Sequence, residues 1–214
     1  MKNAQIIWDD GYERAAKILR ARLEERNALH GGDFTISLQE NETMEPDSFR
    51  LSRQQEGCKV EASNLLGMIH GCGRFLRGCV FPGEGFSWTP EEITIKPYAP
   101  MRGVYFASHF HNYFHMCSVE EMTRYLEDMA LWGWKYIKLN FPAIDIEGPD
   151  DPDVVLQTKR HKAIYREVHA LGMKYSLSLN VNFAYKDFPP EWHAAKHNDP
   201  FVRRGDTGNV LCRA

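Results

Sequence analysis

Three short apolar stretches alternate with two amphipathic helical segments in the second half of the chain. The stretches are RGVYFA at 102–107, WKYIKLNFP at 134–142 and KYSLSLNVNF at 174–183. Strands that alternate with helices at this spacing indicate parallel βαβ units. Local signals support both helices, because Ser118 and Glu121 form a capping box and Pro152 suits a first helical turn. The pattern predicts about three βα units of a (β/α)8 TIM barrel.

A different order of elements precedes these units. Strands are predicted at 4–8, 34–40, 49–53, 57–62 and 93–97, and helices are predicted after Asp10 and after Asn64. Asp10 and Glu13 resemble a helix-capping pair, and Asn64 can cap the second helix. We expect a small β-α-β-β-α-β accessory domain at residues 1–97, with a boundary between Pro97 and Pro100. The second domain then covers residues 98–214, and the predicted fold class is α/β.

The predicted barrel is incomplete. A (β/α)8 barrel takes about 250 residues, and the segment from Met101 to Ala214 is less than half that long. Three parallel strands cannot close on themselves, and the apolar start of GNVLCRA could begin a fourth strand. The sequence therefore favours the N-terminal portion of a longer protein. The alternative is a small open-sheet domain that is complete as it stands.

The polar residues that follow the predicted strands favour a carbohydrate site. Active sites of TIM barrels lie at the C-terminal ends of the strands. His109 and His111 follow the first predicted strand, Asn140 ends the second, and Asn180 lies in the third. Amide and imidazole groups donate to and accept from hydroxyl groups, and neighbouring aromatic side chains can stack on sugar rings. These four residues are the predicted sugar contacts.

The same histidines allow two other interpretations. A His-x-His pair at the end of a first barrel strand is typical of metal-dependent amidohydrolases, because alternate residues of an extended chain point the same way. His109 and His111 have this spacing, but the further ligands that such a site needs are not evident in the sequence. The histidines could also hydrogen-bond locally without chemistry. The prediction is a site without metal or other cofactor.

Composition argues against several classes of partner. The formal net charge of −3 gives no electrostatic reason to expect nucleic acid or an anionic membrane. No stretch approaches the roughly 18 apolar residues of a membrane span, and the start of the chain does not resemble a signal peptide. The five cysteines lack the paired spacing of a zinc site. Neither localisation nor oligomeric state follows from the sequence.

Two segments carry a resemblance to a known family. FRLSRQQEGCKVEASNLLGMIHGCGRFLR contains Gly57, Ala62 and Gly67 at the spacing of an accessory-domain hairpin and helix, and APMRGVYFASHF resembles the entry to a first barrel strand. The chain thus resembles the N-terminal part of glycoside hydrolases of family 20, the β-hexosaminidases, and also the α-glucuronidases of family 67. In both families a small accessory α/β domain precedes a (β/α)8 barrel.

The resemblance implies a function and one further site residue. It implies hydrolysis of glycosidic bonds, and it aligns Arg102 with an arginine that binds sugar hydroxyls in family 20. An ion pair at the bottom of the barrel is the alternative for Arg102, because this residue precedes the apolar part of its strand. The catalytic acidic pair of the family follows the fourth strand and is expected beyond residue 214. The chain alone is therefore expected to be inactive or a non-catalytic carbohydrate-binding fragment of a glycosidase.

Overall fold

The computed structural model describes residues 2–29, 32–90, 92–108, 112–141, 146–179 and 189. The chain packs into two compact units, each drawn from separate stretches. Unit 1 comprises Met1–Val104, Thr123–Tyr136 and Glu167–Lys174, and unit 2 comprises Tyr105–Met122, Ile137–Arg166 and Tyr175–Ala214. The predicted domain boundary near residue 97 stays a prediction.

The strands of unit 1 form a five-stranded mixed sheet. In chain order, the strands are β1 (Ala4–Trp8), β2 (Phe34–Glu40), β3 (Phe49–Gln54), β4 (Gly57–Ala62), β5 (Cys79–Val80), β6 (Ser87–Trp88) and β7 (Ile93–Ile95). The sheet order is β1-β2-β4-β3-β7, and β5 with β6 forms a separate two-stranded ribbon. β2 is parallel to β1 and β4, whereas β3 is antiparallel to β4 and β7. The predicted hairpin of β3 and β4 is confirmed. Along the chain, three strands (β2, β3 and β4) lie between the two helices, where the order β-α-β-β-α-β has two.

Helices α1 (Glu13–Glu24) and α2 (Leu65–Arg77) pack on this sheet and on each other. The predicted cap of α2 is confirmed, since the side chain of Asn64 accepts a hydrogen bond of 2.8 Å from the amide of Gly67. The predicted capping pair of Asp10 and Glu13 is wrong, because Tyr12 is the N-terminal cap and no side chain caps the helix. Tyr12 is instead anchored by its hydroxyl, which donates to the carbonyl of Ala62 at 2.9 Å.

Close backbone approach and aromatic packing complete the core of unit 1. A Cβ atom at Gly71 would overlap the side chain of Val60, and one at Gly73 would overlap the carbonyl of Leu131. Glycine therefore allows α2 to approach its neighbours more closely than any other residue would. An aromatic cluster with centroid distances from 5.2 to 6.0 Å fills the space beside the sheet. Its members are Phe34, Phe75, Phe86 and Trp88.

The remaining elements alternate between strand and helix as predicted, apart from one short extra helix that precedes the first predicted helix. They are β8 (Gly103–Phe106), α3 (Tyr113–Met116), α4 (Val119–Leu131), β9 (Tyr136–Asn140), α5 (Pro152–Ala170) and β10 (Lys174–Ser178). The capping box of α4 is confirmed by reciprocal hydrogen bonds of 2.8 and 3.0 Å between Ser118 and Glu121. Residues 180–183 of the predicted third strand lie outside the described residues.

Strands β8, β9 and β10 form a three-stranded sheet in the order β10-β9-β8. The amide of Tyr136 donates to the carbonyl of Arg102 where β8 and β9 begin. The amide of Lys174 donates to the carbonyl of Lys135 where β9 and β10 begin. The amide of Phe141 donates to the carbonyl of Ser178 where these two strands end. This order of bonds makes the strands parallel. No helix among the described residues is both long enough and apolar enough to cross a bilayer.

Candidate functional site

The C-terminal ends of β8 and β9 are joined by a buried serine. The hydroxyl of Ser108 donates to the carbonyl of Asn140 at 2.9 Å and accepts from the amide of the same residue at 3.1 Å. Ser108 is 4% exposed and Asn140 is 6% exposed. The two reciprocal bonds fix the strand ends relative to each other. They provide a rigid edge of the kind on which TIM barrels place their sites.

Asn140 keeps capacity to bind a ligand at this edge. Its side-chain amide donates to the carbonyl of Phe141 at 3.2 Å. Among the described residues, no group donates a hydrogen bond to its side-chain oxygen. An asparagine oxygen has two lone pairs, so it can accept from a hydroxyl group. The geometry is thus compatible with the sugar contact that the sequence predicts, and this role stays a prediction.

Two further residues lie on the same face of the sheet. Ile137 and Leu139 of β9 are fully buried, whereas Lys138 between them is exposed. Side chains alternate along a strand, so Lys138 and Asn140 project to the same side. The ammonium of Lys138 lies 5.8 Å from the ring centroid of Tyr105 on β8. Lys138, Asn140 and Tyr105 therefore belong to the face that would line the lumen of a barrel.

Sequence reasoning missed Lys138, although a signal was present. Parallel strands buried on both faces read as continuous apolar runs. WKYIKLNFP interrupts such a run with a lysine between two fully buried apolar residues. A charge at that position places an ammonium inside a predicted barrel. The position of this charge makes Lys138 a candidate for contact with a ligand.

Arg102 is held by protein groups at the opposite end of β8. Its guanidinium donates to the carbonyls of Gly133 at 2.8 Å and Ala99 at 2.7 Å, and it lies 3.4 Å from the carboxylate of Asp47. These contacts lie where the strand begins, whereas sites in TIM barrels lie where strands end. The geometry favours the ion pair that the sequence left open. Sugar binding by Arg102 stays a prediction without support from these contacts.

The other predicted contacts lie outside the described residues. These are His109, His111 and Asn180. Nearby, Asn112 caps α3 by accepting from the amide of His115 at 3.1 Å. His115 is 8% exposed, and its imidazole lies 3.3 Å from the side chain of Gln157. No group of three potential metal ligands occurs among the described residues, which leaves the metal alternative for the histidine pair untested.

A cavity in unit 2 lies between α5 and the strands β9 and β10. It has a volume of about 270 Å³ and is lined by Phe141, Thr158, His161, Lys162, Tyr165, Tyr175 and Leu177. The imidazole of His161 is hydrogen-bonded to the hydroxyl of Tyr175 at 2.7 Å. Burial, with smaller effects from Arg160 and His115, lowers the pKa of His161 to about 4. The imidazole is therefore neutral near pH 7.

Solved structures of glycosidases share this fold. An exo-β-N-acetylglucosaminidase of glycoside hydrolase family 20 from Vibrio harveyi matches 98% of this chain with a TM-score of 0.68 at 16% identity. A family 20 β-N-acetylhexosaminidase from Streptomyces coelicolor A3(2) matches 99% of the chain with a TM-score of 0.68 at 15% identity. A family 138 enzyme targeting pectin rhamnogalacturonan II matches 92% of the chain with a TM-score of 0.65 at 14% identity.

These likenesses establish the fold. The chain spans 38% of the Vibrio enzyme, 49% of the Streptomyces coelicolor enzyme and 26% of the pectin-targeting enzyme, so it spans less than half of each. No protein-family model matches the chain, and no curated protein matches it. The α/β class and the likeness to family 20 that the sequence indicates are confirmed at the level of fold.

Proposed function

We propose that the chain is part of a glycoside hydrolase and contributes one wall of its sugar-binding site. The observation that carries this proposal is the fold, which matches family 20 glycosidases over 98 to 99% of the chain. A mutant β-hexosaminidase from Streptomyces plicatus, which shares this fold, has been solved with its product GlcNAc. Fold alone does not specify chemistry, so the argument also needs the groups at the strand ends.

The groups at the ends of β8 and β9 suit a hydroxyl-rich ligand. Asn140 offers a side-chain oxygen to which no described residue donates, and Tyr105 exposes half of its surface on the same face. Neutral hydrogen-bonding groups beside an aromatic ring are what sugar recognition requires. His109, His111 and Asn180 are the further contacts that we propose. The catalytic acidic pair would come from chain beyond residue 214.

Expression of the complete reading frame and a screen of aryl glycosides in both anomeric forms test the proposal. The screen includes N-acetyl-β-D-glucosaminides. We expect turnover of at least one of the glycosides. Isothermal calorimetry with monosaccharides measures binding separately from catalysis. If no glycoside is hydrolysed and no sugar binds, the proposed function is wrong.

Two variants separate binding from stability at the strand ends. Asn140→Ala removes the proposed sugar contact and should raise KM about 10-fold, which corresponds to loss of one neutral hydrogen bond. Ser108→Ala removes the bonds that join the strand ends to each other. This control should lower Tm while changing KM less than Asn140→Ala does. The reverse pattern would assign Asn140 a purely structural role.

A further inference from the structure

Lys138 lies on the open face of the three-stranded sheet and has no counter-ion among the described residues. It is exposed, whereas its neighbours Ile137 and Leu139 are fully buried on the opposite face. Its only charge-related contact among the described residues is the ring of Tyr105, at 5.8 Å from the ammonium. A cation at this distance from an exposed ring gains about 0.5–1 kcal/mol, which leaves the three N–H donors free for other partners.

The nearby lysine Lys135 shows how the same chain treats a lysine that is purely structural. Its ammonium lies 2.6 Å from the carboxylate of Asp47, which is 5% exposed. Lys138 has no such carboxylate among the described residues. An ammonium enclosed by a barrel would need a partner, because an unpaired buried charge is strongly destabilising. That partner is either a carboxylate of the protein or an anionic group of a ligand.

We propose that Lys138 selects substrates that carry an anionic group, a carboxylate or a sulfate ester on the sugar. This proposal rests on the proposed function and names the substrate class of the same site. Residues two apart on a strand lie about 7 Å apart on one face, so one monosaccharide with an exocyclic substituent can contact both Asn140 and Lys138. The ammonium is a compact point charge with three donors, which suits a carboxylate or a sulfate.

Paired substrates that differ only at C6 test this inference in the product of the complete reading frame. The aryl glucuronides and galacturonides carry a carboxylate where the glucosides and galactosides carry a hydroxymethyl group, and aryl 6-sulfates provide the second anion. We expect wild-type protein to prefer one of the anionic forms. Lys138→Met should lower kcat/KM for that form about 10- to 100-fold, the effect of a lost hydrogen bond to a charged group, with a much smaller change for its neutral partner.

Control variants distinguish charge from folding. Lys138→Arg keeps the positive charge and should keep most of the preference for the anionic form. Lys159→Met removes an exposed lysine of α5 and should leave kcat/KM unchanged for both members of each substrate pair. Equal loss of activity on both members of a pair after Lys138→Met would mean that Lys138 binds a carboxylate of the protein. That result would overturn the inference, as would a wild-type preference for the neutral sugars.

Calorimetry decides the inference if no glycoside is hydrolysed. Free glucuronic acid, galacturonic acid and glucosamine 6-sulfate are compared with glucose and galactose. Binding of an acidic sugar that is lost in Lys138→Met supports anion recognition even if hydrolysis fails. Binding of neutral sugars that is unchanged in this variant, or no binding of any sugar, overturns the inference. Failure of catalysis and failure of anion recognition therefore give different results.

Discussion

Asp47 organises the charges of unit 1 from a backbone conformation that few residues adopt. Its φ angle is +65°, in the left-handed region where asparagine and aspartate are the most common residues after glycine. Its carboxylate accepts from Lys135 at 2.6 Å and Asn64 at 3.2 Å, and it lies 3.4 Å from Arg102. Burial raises the pKa of this carboxyl, but the bonds from Lys135 and Asn64 and the charges of Lys135 and Arg102 outweigh it and lower the pKa.

Asp47→Asn is predicted to destabilise the protein by about 2 kcal/mol near pH 7, because it leaves two half-buried cations without their carboxylate. Asparagine tolerates the same φ angle, so the change isolates the charge. A lowered pKa means that the carboxylate stabilises the fold fully above its ordinary pKa of about 4, and that this contribution is lost as the pH falls through the lowered value. Urea unfolding at about pH 7 and about pH 3 measures the difference.

Asp150→Asn is the matched control, since Asp150 is exposed and has no ion pair among the described contacts. This variant should unfold like the wild type at both pH values. A loss for Asp47→Asn that persists at low pH would contradict an electrostatic origin. The sequence identifies Arg102 as a charged residue at the start of a strand, but it does not reveal Asp47 as its partner. The two lie 55 positions apart and meet through the tertiary fold.

A hydrogen bond in largely apolar surroundings joins α5 to β10 in unit 2. His161 of α5 and Tyr175 of β10 share a hydrogen bond of 2.7 Å, and the ring of Tyr165 packs against that of Tyr175 at 5.7 Å. Burial raises the pKa of Tyr175 to about 12, so the phenol stays protonated and can donate to the neutral imidazole. A positive charge on His161 would lie in this buried site, so the contact between α5 and β10 is most stable with the neutral imidazole.

Acidification is predicted to weaken this contact between α5 and β10. The pKa of His161 is about 4 in the folded protein, and the usual value in an unfolded chain is about 6.5. As the pH falls, the unfolded chain therefore binds a proton before the folded protein does. The contribution of the neutral imidazole to the free energy of unfolding is complete above pH 6.5, and about 1–3 kcal/mol of it is lost as the pH drops towards 4. His161→Gln keeps a polar partner for Tyr175 without titrating. It should flatten the pH dependence of unfolding between about pH 7 and about pH 4.5.

His169→Gln serves as the control for this measurement, because His169 is an exposed residue of the same helix. It should leave the pH dependence close to that of the wild type. If His161→Gln unfolds with the same pH dependence as the wild type, the imidazole does not control the stability of this part of the fold.

Local sequence signals predicted the elements well wherever the chemistry was local. Asn64, the pair Ser118 and Glu121, and Pro152 all occupy the predicted positions at helix starts. The pair Asp10 and Glu13 failed because Tyr12 anchors the start of α1 through a bond to Ala62, which lies 50 residues away in the sequence. The site was predicted less completely. Asn140 lies at a strand end as the sequence predicts, and its contact with sugar stays a prediction, whereas the exposure of Lys138 depends on which face of β9 is covered.

At the scale of the whole molecule, both units expose apolar side chains among the described residues, and those of unit 2 include side chains on α5 and β10. Several large side chains of unit 2 have about half of their surface or more in solvent. They include Val155, Leu156, Tyr165, Leu177 and Leu179. β10 is also an edge strand, because it pairs with β9 on one side and with no other described strand. An open edge beside exposed apolar side chains favours association with another chain.

The chain of residues 1–214 expressed alone is therefore predicted to self-associate at micromolar concentrations, whatever its activity. Sedimentation velocity over a range of concentrations measures this, and binding of a hydrophobic dye reports the exposed surface. Leu177→Lys places a charge beside the open edge and should shift the protein towards monomer. Val80→Lys is the control, because Val80 is 64% exposed but lies in unit 1. A wild-type chain that stays monomeric and binds no dye would mean that the apolar surface of unit 2 is covered in solution.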